Sequence, residues 1–194
     1  HDNIGPENVC LSNGSDAAIK YIFDAYISPG DKVLFASPSF AMYPVYCRMF
    51  NAEEVALDYR DDLSFPLEDF AEKITPDIKM AVVVNPNNPT GSALDKDKLL
   101  SLVKKANDKG VLMIVDEAYF YFYPETVIEK VKQFENLIVL RTFSKLCGMA
   151  GLRLGYAASS PEIVNNLNRV KPTYDVNSPA VLFARKILDN PDVI

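Results

Sequence analysis

Three short polar segments of the sequence carry side chains suited to catalysis, and each follows an apolar run. Asn85-Pro86-Asn87-Asn88-Pro89-Thr90-Gly91 supplies amides, Asp116-Glu117-Ala118-Tyr119 supplies a carboxylate and a phenol, and Arg141-Thr142-Phe143-Ser144-Lys145 supplies a hydroxyl and an amine. Each segment alone is typical of a turn, a helix cap or a solvated loop. Three successive strand ends with complementary polar groups instead predict one shared ligand crevice.

Histidine chemistry is nearly excluded, because the only histidine is His1 at the first position. Histidine metal clusters and Ser-His-Asp hydrolysis therefore lack their residues, and no metal site is predicted. Cys10, Cys47 and Cys147 are odd in number and widely spaced, which favours reduced thiols over a disulfide framework or a zinc cluster. The chemistry must depend on Lys, Asp, Tyr, Ser or a cofactor.

Composition and charge narrow the possible partners. The chain has 194 residues, 48% of them hydrophobic, and 20 basic against 26 acidic residues give a net charge of −6. This balance argues against a nucleic acid or an anionic membrane surface as the main partner. No apolar run approaches the roughly 18 residues of a membrane span, and the start HDNIGPENVC lacks a basic stretch followed by an apolar one. We therefore expect a cytoplasmic protein that acts on small molecules.

Short apolar runs rich in β-branched residues predict the strands that position these segments. Runs that are apolar on both faces are typical of a buried parallel sheet. The runs are Lys32–Ala36, Met80–Val84, Val111–Val115 and Leu137–Leu140, with Glu53–Leu57 as a weaker candidate.

Helical spacing occurs between these runs. One predicted helix is capped by Asp95 and ended by Gly110, a second opens near Gly14, and a third covers Ser178–Leu188. Strands that alternate with helices form βαβ units with right-handed crossovers. The predicted fold class is α/β, with three α/β/α layers around a mostly parallel central sheet.

Four segments in order resemble the large domain of the fold-type I aminotransferases, which use pyridoxal phosphate. The resemblance covers roughly Val9 to Ser178, and Arg141 to Lys145 together with Ala150 to Arg153 look closest to the histidinol-phosphate aminotransferases. The four segments are Asn88-Pro89-Thr90-Gly91, Asp116-Glu117-Ala118-Tyr119, Ser144-Lys145 and Gly151-Leu152-Arg153-Leu154-Gly155-Tyr156.

The resemblance implies catalytic roles for Lys145, Asp116 and Tyr119, and a cofactor contact for Asn88. Lys145 would carry the cofactor aldehyde as a Schiff base and then move a proton between the substrate and the cofactor. Asp116 would pair with the ring nitrogen and keep it protonated. Asn88 and Tyr119 would donate hydrogen bonds to the phenolic oxygen of the cofactor from opposite sides.

The resemblance also implies a phosphate cradle. Gly14, Ser15 and Asp16 begin a predicted helix, whose backbone N–H groups and dipole can receive an anion. Ser144 and Arg153 would complete the cradle, with Arg153 as the fixed cation.

Phe40 matches the position at which this family places an aromatic ring over the cofactor. Tyrosine is common there in the histidinol-phosphate branch, but stacking needs only the π-face of the ring. The nearby Tyr43 and Tyr46, and also Tyr121 and Tyr123, are interpreted as packing residues.

For domain organisation, the resemblance implies that residues 1–177 form the cofactor-binding large domain, truncated at its start. Residues 178–194 would begin the interdomain helix leading to a missing small domain. Such a chain would keep the fold and weak cofactor binding, with little or no turnover of substrate. The full-length protein would be a homodimer whose partner subunit completes the site.

Three functions stay open at this point. The first is transfer of an amino group between histidinol phosphate, or a related amino acid or amino-phosphate, and 2-oxoglutarate in histidine biosynthesis. The second is a threonine-phosphate decarboxylase that uses the same cofactor. The third is a catalytically incomplete cofactor-binding fragment.

Overall fold

The computed structural model describes residues 4–190 and 192, and these form three layers with a β-sheet in the middle. His1, the residue that limited the histidine chemistry, lies outside the described residues, as do residues 191, 193 and 194 at the end of the predicted interdomain segment.

In the part of the chain that is described, the sheet has seven strands in the order β1-β7-β6-β5-β4-β2-β3. Neighbouring strands from β3 through β6 are parallel, while β7 runs antiparallel to both β6 and β1. The carboxyl ends of β1, β4, β5 and β6 therefore lie at one edge of the sheet. The bounds are β1 Val9–Ser12, β2 Lys32–Ser37, β3 Glu53–Asp58, β4 Ile78–Val84, β5 Leu112–Asp116, β6 Leu137–Thr142 and β7 Gly155–Ala158.

Six α-helices connect or follow these strands within the described residues. The helices α1, α2 and α5 pack on one face of the sheet, and α3 and α4 pack on the other. The bounds are α1 Gly14–Tyr26, α2 Met42–Phe50, α3 Leu67–Lys73, α4 Lys96–Lys109, α5 Pro161–Val170 and α6 Ser178–Leu188.

Successive residues of each central strand enter different cores, because side chains alternate across a strand. In β2, Phe35 packs with the helices of the first face, and Leu34 packs with those of the second. In β5, Ile114 and Met113 divide in the same way, and all four side chains are buried. Burial on both faces explains why the predicted strands read as continuous apolar runs.

The predicted fold class is confirmed, and the predicted strands appear with ends that differ by one or two residues. Helix α4 has the predicted ends: the Asp95 carboxylate accepts a hydrogen bond from the Lys98 amide at 2.9 Å, and Gly110 adopts a left-handed φ of 69°. Strands β1 and β7 are not among the predicted strands. Each has only four residues, and the run Gly155 to Ala158 has too little β-branched character to indicate a strand.

The division into residues 1–177 and 178–194 stays a prediction. Helix α6 does begin at Ser178, where the Asn177 side chain caps it by accepting from the Ala180 amide at 2.9 Å. It covers a small third core that contains Phe143 and Leu154. None of the helices described is both long enough and apolar enough to cross a membrane.

Phe70 of α3 tests the packing of the second face. Its side chain is fully buried and its ring centroid lies 5.0 Å from that of Phe65. We expect Phe70→Ala to lower the free energy of unfolding by about 3–5 kcal/mol, because the substitution leaves a cavity. Urea unfolding followed by circular dichroism measures this change.

The matched control is Phe122→Ala, because the Phe122 side chain is 61% exposed. We expect it to change the free energy of unfolding by no more than about 0.5 kcal/mol. Equal losses in the two variants would contradict the assignment of Phe70 to the core.

Candidate active site

A cavity of about 230 Å³ lies at the edge of the sheet where β4, β5 and β6 end. This position follows from the topology, because open α/β sheets bind ligands beyond the carboxyl ends of their strands. All of the residues predicted for the site line this one cavity, although their individual roles stay predictions. The lining residues are Gly14, Ser15, Asp16, Phe40, Val84, Asn88, Asp116, Ala118, Tyr119, Thr142, Ser144, Lys145 and Arg153.

Asp116 is the most buried acid in this cavity, with 2% of its surface exposed. It ends β5 in the middle of the sheet, between Val84 of β4 and Leu140 of β6. One carboxylate oxygen accepts from the Ala118 amide at 3.1 Å. Burial raises the pKa of Asp116, while its hydrogen bonds and the nearby Lys145 ammonium oppose that rise.

The other carboxylate oxygen of Asp116 accepts from the Tyr43 hydroxyl at 2.8 Å. Tyr43 is fully buried in the first core, so its interpretation as a packing residue is incomplete. Burial and the adjacent Asp116 carboxylate raise the pKa of Tyr43 well above its usual value, which keeps the phenol protonated as a donor. A buried acid at the end of a strand needs such a donor, but the sequence does not indicate which residue supplies it.

Lys145 lies in the loop that follows β6, with an exposed side chain. Its ammonium nitrogen is 5.2 Å from the centroid of the Tyr119 ring. Asn88 lines the cavity from the loop that follows β4. An amine, a phenol and an amide therefore line one space.

The amino end of α1 forms one wall of the cavity. Gly14 has a φ of 78°, and no side chain caps the helix at Asn13, so its first N–H groups are available to an anion. The Asp16 carboxylate accepts a hydrogen bond from the Tyr46 hydroxyl at 3.2 Å. The group of Asp16 that suits an anion is therefore its backbone amide. The interpretation of Tyr46 as a packing residue is therefore incomplete, as it is for Tyr43.

Gly155 explains how α1 approaches the sheet so closely. A Cβ atom at this first position of β7 would lie 2.4 Å from the Ser15 amide nitrogen and 2.9 Å from the Arg141 carbonyl oxygen. Any larger residue would therefore push the amino end of α1 away from β6 and β7. The close approach brings that end of the helix to the cavity wall.

Arg153 and Ser144 complete the polar lining beside α1. The nearest guanidinium nitrogen of Arg153 is 2.6 Å from the point that a Cβ atom of Gly14 would occupy. Arg153 forms no ion pair with a carboxylate among residues 4–190 and 192, and it donates to the Ala150 carbonyl at 3.2 Å. The Ser144 hydroxyl oxygen is buried and has no hydrogen-bond partner within the described structure. A cation and an orphaned hydroxyl beside an uncapped helix form a site for an anion.

Phe40 lies across the cavity in the loop before α2. Its ring meets that of Tyr43 edge to face, with centroids 6.3 Å apart and planes at 81°. The half-buried Phe40 ring is therefore available to a flat ligand in the cavity. Three lining residues are not among the predicted site residues: Val84, Ala118 and Thr142, which lie at or just after strand ends.

The lining groups together suit one kind of molecule. An amine that can bond to an aldehyde, a buried carboxylate for a ring cation, an aromatic face and an anion site occupy a single cavity. Within the described residues, no group of three or more His, Cys, Asp or Glu side chains is arranged to hold a metal ion.

Comparison with known proteins finds histidinol-phosphate aminotransferases among the proteins that are similar to this chain. Histidinol-phosphate aminotransferase from Caldanaerobacter subterraneus subsp. tengcongensis is 44% identical over 187 residues, which cover 96% of this chain and 52% of that protein. Histidinol-phosphate aminotransferase from Sinorhizobium meliloti, solved in complex with pyridoxal-5'-phosphate, has the same fold, with a TM-score of 0.90 and 24% identity over 97% of this chain and 52% of its own.

L-threonine-O-3-phosphate decarboxylase from Porphyromonas gingivalis is also similar, with a TM-score of 0.85 and 26% identity over 99% of this chain and 59% of its own. This chain spans about half the length of the curated relatives that it matches. The family model for aminotransferases of class I and II matches residues 2–194. The chain therefore belongs to the aminotransferase class I and II family.

Proposed function

We propose that this chain provides the cofactor-binding part of a pyridoxal-phosphate-dependent aminotransferase. The enzyme would transfer an amino group between histidinol phosphate, or a related amino-phosphate, and 2-oxoglutarate. The observation that carries the proposal is that one cavity gathers all of the residues predicted for cofactor binding. Family membership and the relatives named above support the reaction class.

The lining fits pyridoxal phosphate at each of its functional groups. Arg153, the orphaned Ser144 hydroxyl and the uncapped start of α1 would hold the phosphate ester. Asp116 would face the ring nitrogen, and Phe40 would lie against the ring. When bound, the cofactor supplies an aldehyde carbon that bonds to amines and a ring that accepts electrons from the substrate.

Lys145 would act first as the attachment point and then as the acid and base. Its amine, once released by the substrate amine, would take a proton from the substrate α-carbon and return it to a neighbouring carbon. Tyr119, which lies beside the Lys145 ammonium, would donate a hydrogen bond to the phenolic oxygen of the cofactor. Asn88, in the loop after β4, would donate to the same oxygen from the opposite side.

Asp116 would hold a proton on the ring nitrogen by offering a buried negative charge to it. Its carboxylate already accepts from Tyr43 and Ala118, which fixes its direction before any ligand binds. Because water is largely excluded, the interaction of this carboxylate with a ring cation is stronger than it would be in solvent.

A threonine-phosphate decarboxylase is the second candidate, and the structural similarity to the Porphyromonas enzyme favours it. Both reactions need the same cofactor cradle and differ in the substrate bond that breaks. Assays of glutamate formation and of carbon dioxide release in the full-length protein would distinguish the two. If this chain binds cofactor and performs neither reaction, the cofactor-binding fragment is the remaining alternative.

We also propose that the full-length protein acts as a cytoplasmic homodimer on a small amino donor and a 2-oxo acid. The resemblance of the site motifs to the fold-type I aminotransferases supports this proposal. Light scattering of the full-length protein would test the dimer.

Lys145→Ala tests the attachment point. Pyridoxal phosphate added to the unchanged chain should produce a visible absorbance band, and borohydride should then fix the cofactor on Lys145, as peptide mass spectrometry would show. The variant should lack both signals, because among the described residues that line the cavity no other amine replaces that of Lys145.

Lys20→Ala is the matched control for this experiment, since Lys20 is a surface residue that pairs with Asp24 on α1. It should behave as the unchanged chain does. A modified lysine elsewhere, or a band that survives in Lys145→Ala, would contradict the assignment.

Arg153→Ala tests the phosphate cradle. We expect it to weaken the binding of pyridoxal phosphate about 10- to 100-fold, because a charge-assisted hydrogen bond is lost. Binding of pyridoxal, which lacks the phosphate, should stay nearly unchanged. Fluorescence titrations with the two compounds measure this difference, and an equal loss for both would place Arg153 elsewhere in the site.

Tyr43→Phe tests the support of Asp116. Donation from Tyr43 lowers the pKa of Asp116, so its removal should raise that pKa further. An ionised Asp116 is needed for the ring cation, and cofactor binding is therefore lost as pH falls through this pKa. The acid limb of cofactor affinity should move to higher pH in the variant.

Titrations of cofactor affinity from acidic to neutral pH would locate this limb. Tyr26→Phe is the control, because the Tyr26 hydroxyl accepts from Asn166 and does not line the cavity. An acid limb at the same pH in all three proteins would show that Tyr43 has no influence on Asp116.

A further inference from the structure

A buried ion pair lies directly behind the candidate site, between the residues that follow β5 and the end of β6. The Arg141 Nε atom donates to Glu117 Oε2 at 2.9 Å. Only 6% of the Arg141 side chain and none of the Glu117 side chain is exposed. Neither residue lines the cavity, and the roles proposed above do not use them.

The Glu117 carboxylate closes the loop that carries Tyr119. Thr126, at the far end of this loop, donates from its hydroxyl to both carboxylate oxygens at 2.8 Å. The Val127 amide donates to Oε1 at 3.2 Å. One carboxylate thus joins both ends of the segment between positions 117 and 127, and we call this segment the Tyr119 loop.

Arg141 links the same loop to the strand that leads to Lys145. Its guanidinium carbon lies 3.7 Å from the centroid of the Phe120 ring, and its Nη2 atom donates to the Thr126 hydroxyl at 3.0 Å. Phe120 is the neighbour of Tyr119 in the chain, and Arg141 precedes Lys145 by one short segment of β6 and loop.

We propose that Glu117 and Arg141 are positioning residues that hold the Tyr119 ring beside the Lys145 amine. The proposal rests on the proposed function, in which Tyr119 and Lys145 contact the cofactor. The pair would act through the Tyr119 loop and would not touch the cofactor or the substrate itself.

Because the ion pair is buried, the loss of either charge affects the structure around it. Desolvation raises the pKa of Glu117, and the Arg141 guanidinium and the Thr126 hydroxyl oppose that rise. Removing one charge of a buried pair leaves the other uncompensated, and the surrounding structure must then rearrange or admit water. The loop, which has little secondary structure of its own, is the part best able to do so.

Glu117→Gln is the informative variant, because it keeps the size of the side chain and removes its charge. In the cofactor-free chain, we expect amide hydrogen exchange at positions 118–126 to become at least about tenfold faster relative to exchange in β5. Phe70→Ala is the control, since Phe70 lies in α3, outside the segment between positions 117 and 127, and its substitution lowers global stability. It should not accelerate the loop selectively.

The second measurement is the pH midpoint of the visible band of the bound cofactor in Glu117→Gln, Tyr119→Phe and the double variant. If the pair acts through Tyr119, both single variants should shift the midpoint, and the double variant should shift it no further than Tyr119→Phe does. Arg141→Lys keeps the charge but not the planar fork and should show a smaller shift than Glu117→Gln.

The outcomes separate the two proposals. No band in the unchanged chain would contradict the proposed function, while the exchange experiment would still decide whether the pair fixes the loop. If the band forms normally in the unchanged chain but Glu117→Gln changes neither the amide exchange of the loop nor the pH midpoint of the band, only the positioning role is overturned. Shifts that add in the double variant would also overturn it.

Discussion

The burial of one carboxylate is the constraint on which the site depends. Asp116 ends a strand in the middle of the sheet and is almost inaccessible to water. A charge in such a place is unfavourable unless donors or opposite charges surround it. Tyr43 of α2, the Ala118 amide and the Lys145 ammonium meet this requirement from three directions. Two of these three residues, Ala118 and Lys145, also line the cavity around the carboxylate.

The strand order brings Arg153 and the start of α1, which line the anion site of the cavity, to the same edge of the sheet as Asp116. Strand β7 runs against its neighbours, so its first residue, Gly155, lies level with Thr142 at the end of β6 and with Ser12 at the end of β1. The absence of a side chain at Gly155 lets the start of α1 rest directly against the sheet. Arg153, just before β7, then reaches the turn at Gly14. The antiparallel direction of β7 thus places the Arg153 guanidinium beside the amino end of α1.

The site combines a buried framework with exposed reactive groups. Asp116, Glu117 and Arg141 are almost fully buried and form hydrogen bonds within the protein. Lys145 and Arg153 are exposed, and both lie in segments that follow or precede strands. Buried groups have few alternative conformations, whereas exposed side chains can move as a ligand enters and leaves. This division suits the role proposed for Lys145, whose amine would be attached at one stage and free at another.

The amino-acid sequence was enough to predict the fold class and the residues that line the cavity. Continuous apolar runs predicted the parallel strands, the polar segments after them predicted the crevice, and the motif order indicated the family. The three-dimensional structure was needed to show that Tyr43 donates to Asp116, that Glu117 pairs with Arg141, and that β7 and β1 extend the sheet beyond β6. Spacing along the chain reports which face a residue occupies. It does not report which distant residue meets it across the core, because that choice depends on how whole layers pack.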